Sequence, residues 1–229
     1  MKYFVIGLFM GLIAGVVIAT SEPNSNTKQT NYHRQTITET KSPSKKLQWR
    51  TASLFPNNGS PSGASIKKLI NKINFLAKTK LELKLYEPGS LVPEFSSFDA
   101  VSSGRIEAAV TNPTYLGEKS RGFELFGGFP FGPDAKKFLA WYQIGGGKKL
   151  SQNLYRRYNI HGLICGITGP WFGGWFREPV NEISDLRKKR IATVGPAAAV
   201  LSRAGAKTAL VAPQNIRSAM EAKKIFGTT

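Results

Sequence analysis

Glycines and aromatic rings crowd together at residues 169–177, Gly-Pro-Trp-Phe-Gly-Gly-Trp-Phe-Arg, after an aromatic segment at 123–131 and the pair Trp141-Tyr142. Bare backbone beside flat rings can close on a small ligand and select it by shape. The same rings could fill a core beneath a loop, and composition leaves both readings open. Covalent chemistry finds less support. There is no Gly-x-Ser-x-Gly elbow, no phosphate-binding loop and no dinucleotide fingerprint, and Asp and Glu stand singly rather than in a pair. The glycines at 145–147 read as a helix stop and turn. No catalytic residue is assigned, the chain is not expected to be an enzyme, and no cofactor is implied.

Cys165 is the single cysteine, which excludes an intrachain disulfide. Its apolar surroundings, residues 162–167, predict a buried and inert thiol. The two histidines lie far apart, so no zinc site arises from local Cys and His spacing, and no metal ligands are assigned. A net charge of +18, from 32 Lys and Arg against 14 Asp and Glu, could suit nucleic acid or an anionic membrane surface. The basic residues, however, spread from Lys28 to Lys224 without a nucleic-acid motif. Short clusters at Lys45-Lys46, at Arg156-Arg157 and at 187–190 read as solvated surface, and no nucleic-acid partner is expected.

Several elements must position these residues. Residues 1–19 carry one Lys before an apolar run and end in small residues, the pattern of a secretory signal. Residues 20–46 are rich in Ser, Thr, Asn, Gln and Lys and form a flexible polar leader. The spacing then predicts a strand over 47–53, a loop over 55–63 and a helix whose inner face holds Ile66, Leu69, Ile70, Ile73, Leu76 and Ala77. A strand follows at 81–86, where Leu alternates with polar residues. Further on, a short helix at 95–103, a strand at 106–111, a helix capped by Asp134, a helix at 150–158 and a strand at 160–167 are expected. The rhythm continues with a strand at 191–194, a helix at 196–204, a strand at 210–212 and a helix at 214–223. Repeated strand–helix–strand order makes the class α/β with parallel crossovers.

Motifs at fixed positions point further. The runs Trp49-Arg50-x-Ala52-Ser53-x-Phe55-Pro56 and Tyr86-x-Pro88-Gly89-x-Leu91-Val92-Pro93 appear early in the chain. Asp99-Ala100-Val101-x-x-Gly104-x-Ile106-Glu107 comes next, then Pro130-Phe131-Gly132, Ala140-Trp141, Gly146-Gly147 and Gly173-Gly174-Trp175-Phe176-Arg177. In order and spacing this set resembles the DctP-type receptors of TRAP transporters. The resemblance implies a periplasmic-binding-protein-like fold of two α/β lobes, a first lobe at 47–164 and a second at 165–229. It also implies capture of a small organic solute, often a carboxylate, in the periplasm, and delivery to the membrane permease subunits of an ion-driven transporter. Phe55, Tyr115, Trp171 and Arg190 are the expected substrate-binding residues, and Arg177 is expected to hold its loop.

Two departures from the family pattern bear on the ligand. Trp171 stands where related receptors carry a Gln, and Ala192 stands at the position of a carboxylate-clamping Arg, with Arg190 two residues earlier on the same side of a strand. The family also continues past Ala219-Met220-Glu221, whereas this sequence ends at Thr228-Thr229, so the second lobe is expected to be incomplete. Three alternatives stay open: a truncated fragment without function, an exported enzyme on the same frame, and an exported basic module bound to anionic surfaces.

Overall fold

The computed structural model describes residues 45–128, 131–169 and 173–229, so the signal at 1–19 and the leader up to residue 44 lie outside the described residues. The alternating leucines form strand β2 (Leu81–Tyr86) beside β1 (Leu47–Ser53), parallel and in register from Leu47 opposite Leu81 to Ala52 opposite Tyr86. Strand β3 (Ala108–Val110) lies on the other side, giving a parallel sheet of order β2-β1-β3. Its central strand buries its carboxyl half, Thr51 to Ser53, and exposes its amino half.

The crossover from β1 to β2 is helix α1 (Pro61–Ala77). Ser60 accepts the Gly63 N–H at 3.0 Å and Pro61 occupies the first turn, where its missing donor costs nothing. From the last turn, Asn74 exchanges two hydrogen bonds with the backbone of Leu83, at 2.7 and 3.0 Å. A helix side chain thus covers part of the free edge of β2. On the opposite side, Arg50 of β1 grips Glu107 through its Nε, Nη2 and backbone N–H, and Nη2 also reaches the Arg105 carbonyl.

Helices α2 (Ser97–Ser102), α3 (Glu124–Gly127), α4 (Ala135–Gln143) and α5 (Gly147–Arg156) follow, with a 3-10 turn at Pro113–Leu116. Phe98, Leu116 and Phe123 form an aromatic core with Tyr155 and Tyr158 packed on it. Phe123 is fully buried, and its ring meets Phe98, Tyr155 and Tyr158 at centroid distances of 5.5, 5.0 and 5.6 Å. At Phe123, therefore, the aromatic density of the sequence serves the core. Asp134 caps α4 as expected, accepting the Lys137 N–H at 2.9 Å.

A second, four-stranded sheet has the order β4-β7-β5-β6, from β4 (Trp175–Phe176), β5 (Arg190–Ala192), β6 (Lys207–Ala209) and β7 (Gly227–Thr228). Strand β5 runs parallel to both neighbours and β4 runs antiparallel to β7. Helix α6 (Gly195–Arg203) links β5 to β6, and α7 (Ile216–Glu221) precedes β7. Leu186, Ile191, Ala206 and Phe226 make its core. The architecture is the expected α/β one, with two parallel-based sheets.

Several local expectations are corrected. Residues 160–169 form no strand, and Leu163, Ile164 and Ile167 are exposed. Cys165 is accordingly exposed rather than buried. Its thiol nevertheless sits above its ordinary pKa, because neighbouring protein atoms partly desolvate it, so exposure does not make it a ready nucleophile. The last strand before α7 lies at Lys207–Ala209 rather than 210–212, since Gly205, at φ 91°, turns the chain straight into Ala206 and Pro213 draws the following residues into a turn. The glycines at 145–147 both end α4 and begin α5, and a Cβ on Gly147 would lie 2.9 Å from the Trp141 ring. Leu76, expected on the inner face of α1, is exposed.

Candidate functional site

In open α/β sheets the loops beyond the carboxyl ends of parallel strands are the usual place for a ligand, because helix starts and free backbone groups converge there. In the first sheet three such loops are braced together. After β1, Ser53 Oγ donates to the Phe55 carbonyl at 2.6 Å and accepts the Phe55 N–H at 3.1 Å, which fixes the turn that presents the half-buried Phe55. Two residues on, the Asn57 N–H donates to Glu87 Oε2 at 2.9 Å, tying this loop to the one after β2. After β3, Asn112 accepts the Thr114 N–H at 2.9 Å and starts the turn that carries Tyr115.

Tyr115 stacks on Phe95 with centroids 5.6 Å apart and planes at 29°. Burial pushes its phenol pKa above the ordinary value, so at neutral pH the hydroxyl keeps its proton and stays a donor. The loops after β1, β2 and β3 therefore bring forward an aromatic pair, Phe55 and a polar floor. Asn57 is buried, and its Oδ1 finds no hydrogen-bond partner among the described residues.

Two contacts join these loops to the second sheet. Glu94, in the loop after β2, accepts from Gln214 Nε2 and, at 3.4 Å, from Asn215 Nδ2, both in the 3-10 turn (Pro213–Asn215) after β6. Gln214 Oε1 is a further buried acceptor without a partner among the described residues. The second contact is steric. Thr114 sits between two glycines: a Cβ on Gly127 would lie 2.0 Å from its Oγ1, and one on Gly195, after β5, 2.4 Å from its Cγ2. Gly195 also has φ 61°, a left-handed conformation that costs other L-residues energy. The loops of the two sheets thus each carry a buried acceptor without a partner among the described residues, Asn57 Oδ1 and Gln214 Oε1. Among the described residues no group of three or more His, Cys, Asp or Glu comes together as a metal-ion cage.

Of the four residues expected from sequence, Phe55 and Tyr115 lie on loops at the carboxyl edge of the first sheet. Arg190 opens β5 beside Lys207, at the amino end of that strand, and is exposed, while Ala192 is buried. Trp171 lies outside the described residues. Arg177 donates its N–H to the Phe226 carbonyl at 3.0 Å and lines an open depression of about 590 Å³ with Phe176, Val180, Leu186 and Leu201, which contains none of the four. Sequence reasoning missed Glu94, Thr114 and Gln214. Their partners are distant in the chain, and only Gly195 ahead of Pro196 carried a local signal.

Comparison with known proteins identifies the frame. The sequence model of the DctP family, described as bacterial extracellular solute-binding protein, family 7, matches residues 52–228. A monocarboxylate 2-oxoacid-binding periplasmic protein of Nostoc sp. is 29% identical over 160 residues, which is 69% of this chain and 43% of that protein. A TRAP transporter solute-binding protein from Bordetella bronchiseptica, crystallised with calcium and picolinate, superposes with a TM-score of 0.76 at 29% identity, over 80% of this chain and 55% of its own. The corresponding protein from Pseudoalteromonas atlantica, with sodium and pyruvate bound, gives a TM-score of 0.74 at 27% identity, over 80% and 56%. The chain thus spans about half the length of these relatives.

Proposed function

We propose that this chain, which belongs to family 7 of the bacterial extracellular solute-binding proteins, captures a small organic solute in the periplasm for uptake by a TRAP transporter. The observation that carries the reading is the meeting of carboxyl-edge loops from two parallel-based sheets, Glu94 with Gln214 and Asn215, and Thr114 with Gly195. A solute bound there touches both sheets, so binding favours the state in which they are drawn together. Phe55, Tyr115 and Trp171 are the proposed solute contacts, with the division into lobes at 47–164 and 165–229; Arg190, expected beside them, opens β5 at its amino end, away from these carboxyl-edge loops. The rings would select a flat solute. The membrane permease subunits are the proposed partner, and no bond is made or broken in the solute.

Relatives bind pyruvate and picolinate, each with a cation. Among the described residues no three His, Cys, Asp or Glu side chains come together as a cage for such a cation. The class proposed is a small monocarboxylate, aromatic or 2-oxo. Thermal melts of the purified chain against pyruvate, picolinate and a panel of small carboxylates and amino alcohols test this. A ligand at about a hundred times its Kd stabilises by about 2.7 kcal/mol, a shift of several degrees. Stabilisation by none of the panel, or conversion of a panel member to product, would overturn the reading.

A further inference from the structure

Helix α1 runs from the loop after β1 to the amino edge of the first sheet, the edge away from the proposed solute loops, and its outer surface is basic. Helix α1 contains no Asp or Glu, and Lys67, Lys68 and Lys72 are exposed along it. Just past its end Lys78 and Lys80 are exposed too. None of these five lysines forms an ion pair among the described residues; Lys67 donates only to Asn58 Oδ1, at 3.2 Å. The acid nearest in register, Glu82, is taken by Lys46 at 3.1 Å.

Among these cations stand three exposed apolar side chains. Phe75 is 75% exposed, Leu76 67% and Leu47 60%. Phe75 and Leu76 close the helix, and the Leu47 N–H donates to the Lys80 carbonyl at 3.0 Å, so all belong to the amino ends of β1 and β2. A water-soluble fold gains nothing from leaving a Phe and two Leu open to water. Lysines flanking apolar side chains match instead a bilayer surface with anionic headgroups, where charge attracts the face and the apolar tips enter the headgroup boundary.

We propose that the face formed by α1 and the amino edge of the first sheet docks on an anionic phospholipid surface, through Lys68, Lys72, Lys78 and Lys80 with Phe75 and Leu76 inserted. The charge complementarity is direct, since the chain carries +18 overall and this face lacks any unpaired acid. The solute-capture reading supplies only the reason for such a face: a periplasmic receptor held near the membrane searches for its permease in two dimensions.

The test uses protein recovered from the periplasm of its expression host and vesicles of phosphatidylcholine with or without thirty per cent phosphatidylglycerol, in about 0.1 M salt and without solute. Co-sedimentation should be strong only on the anionic vesicles and should fall as salt rises. Each basic residue near such a surface contributes about fivefold, so Lys72→Gln/Lys80→Gln should weaken binding about 25-fold. Phe75→Ser/Leu76→Ser should weaken it by at least about tenfold. Arg203→Gln/Lys207→Gln removes equal charge from α6 and β6 and should change it less than about twofold. Equal loss in that control pair would show attraction by overall charge and overturn the assignment of the face. So would equal binding to neutral vesicles, unchanged binding of both α1 variants, or a self-association abolished by Phe75→Ser/Leu76→Ser without vesicle binding. Because no solute is present, failure of solute capture leaves these outcomes untouched.

Discussion

Replacing Gly195 by Ala probes whether the two sheets meet as closely as Thr114 indicates. Two penalties combine at this position. The backbone is left-handed, φ 61°, which costs an L-residue about 1–2 kcal/mol, and the new Cβ would lie 2.4 Å from Thr114 Cγ2, an overpacking of about 1–3 kcal/mol. Gly195→Ala alone should therefore lower stability by about 2–5 kcal/mol. In a Thr114→Ala background Cγ2 is gone and only the backbone cost remains. The double-mutant cycle should show a coupling of about 1–3 kcal/mol, well above the few tenths expected of independent sites. Urea unfolding followed by tryptophan fluorescence and circular dichroism measures it. If Gly195→Ala costs the same with Thr114 present or absent, the loops do not approach in solution and the two sheets share no site there.

Three further outcomes follow from other contacts. Arg50 holds the Glu107 carboxyl down to about 2, far below its ordinary 4.5; this stabilisation is complete above about pH 4.5 and is lost as pH falls through 2, so Glu107→Gln should flatten the fall of the urea midpoint between pH 5 and 2. Phe123→Ala removes a fully buried ring that touches three others and should cost about 3–5 kcal/mol in the same melts. Glu94→Ala breaks the hydrogen bonds to Gln214 and Asn215, so spin labels on Lys68→Cys and Arg203→Cys in a Cys165→Ser background should show a broader, longer distance distribution without solute; an unchanged distribution would remove Glu94 from the junction.

How much of this was legible in the sequence depended on element length. Strands β1 and β2 agree with expectation at both ends, because each is six or seven residues long and β2 alternates Leu with polar residues. Strands β3, β5 and β6 have three residues each, too few to carry a period, and their positions slipped by up to three residues. Cys165 was misplaced for a different reason. Apolar neighbours announce burial only if a sheet receives them, and residues 160–169 pair with no strand among the described residues. Within the candidate site, Phe55 belongs to a motif that runs directly out of β1, so its place at the carboxyl edge is set by that strand, whereas Tyr115 belongs to no such motif and lies in the turn after β3. Thr114 between Gly127 and Gly195 could not be seen, because steric need for glycine is a three-body property of segments that meet only in the fold.

The two poles of the first sheet impose opposite demands. Solute is proposed to enter at the carboxyl edge, where Phe55, Tyr115 and Asn57 gather, whereas the exposed lysines and apolar tips lie at the amino edge and along α1. A chain docked through the amino edge turns its solute loops away from the bilayer and must reorient to present them to a permease. Docking that outlasted the encounter would therefore slow delivery. The surface fits this limit. Its attraction rests on a few unpaired lysines, which salt screens over about 8–10 Å, and its apolar tips are three side chains rather than a membrane span. Among the described residues no helix is long and apolar enough to cross a membrane. Strengthening the face, for instance with Asn71→Lys, should prolong vesicle residence and, in transport assays with the permease, reduce rather than raise the rate at saturating receptor. A raised rate would mean that the docked orientation is itself the delivering one.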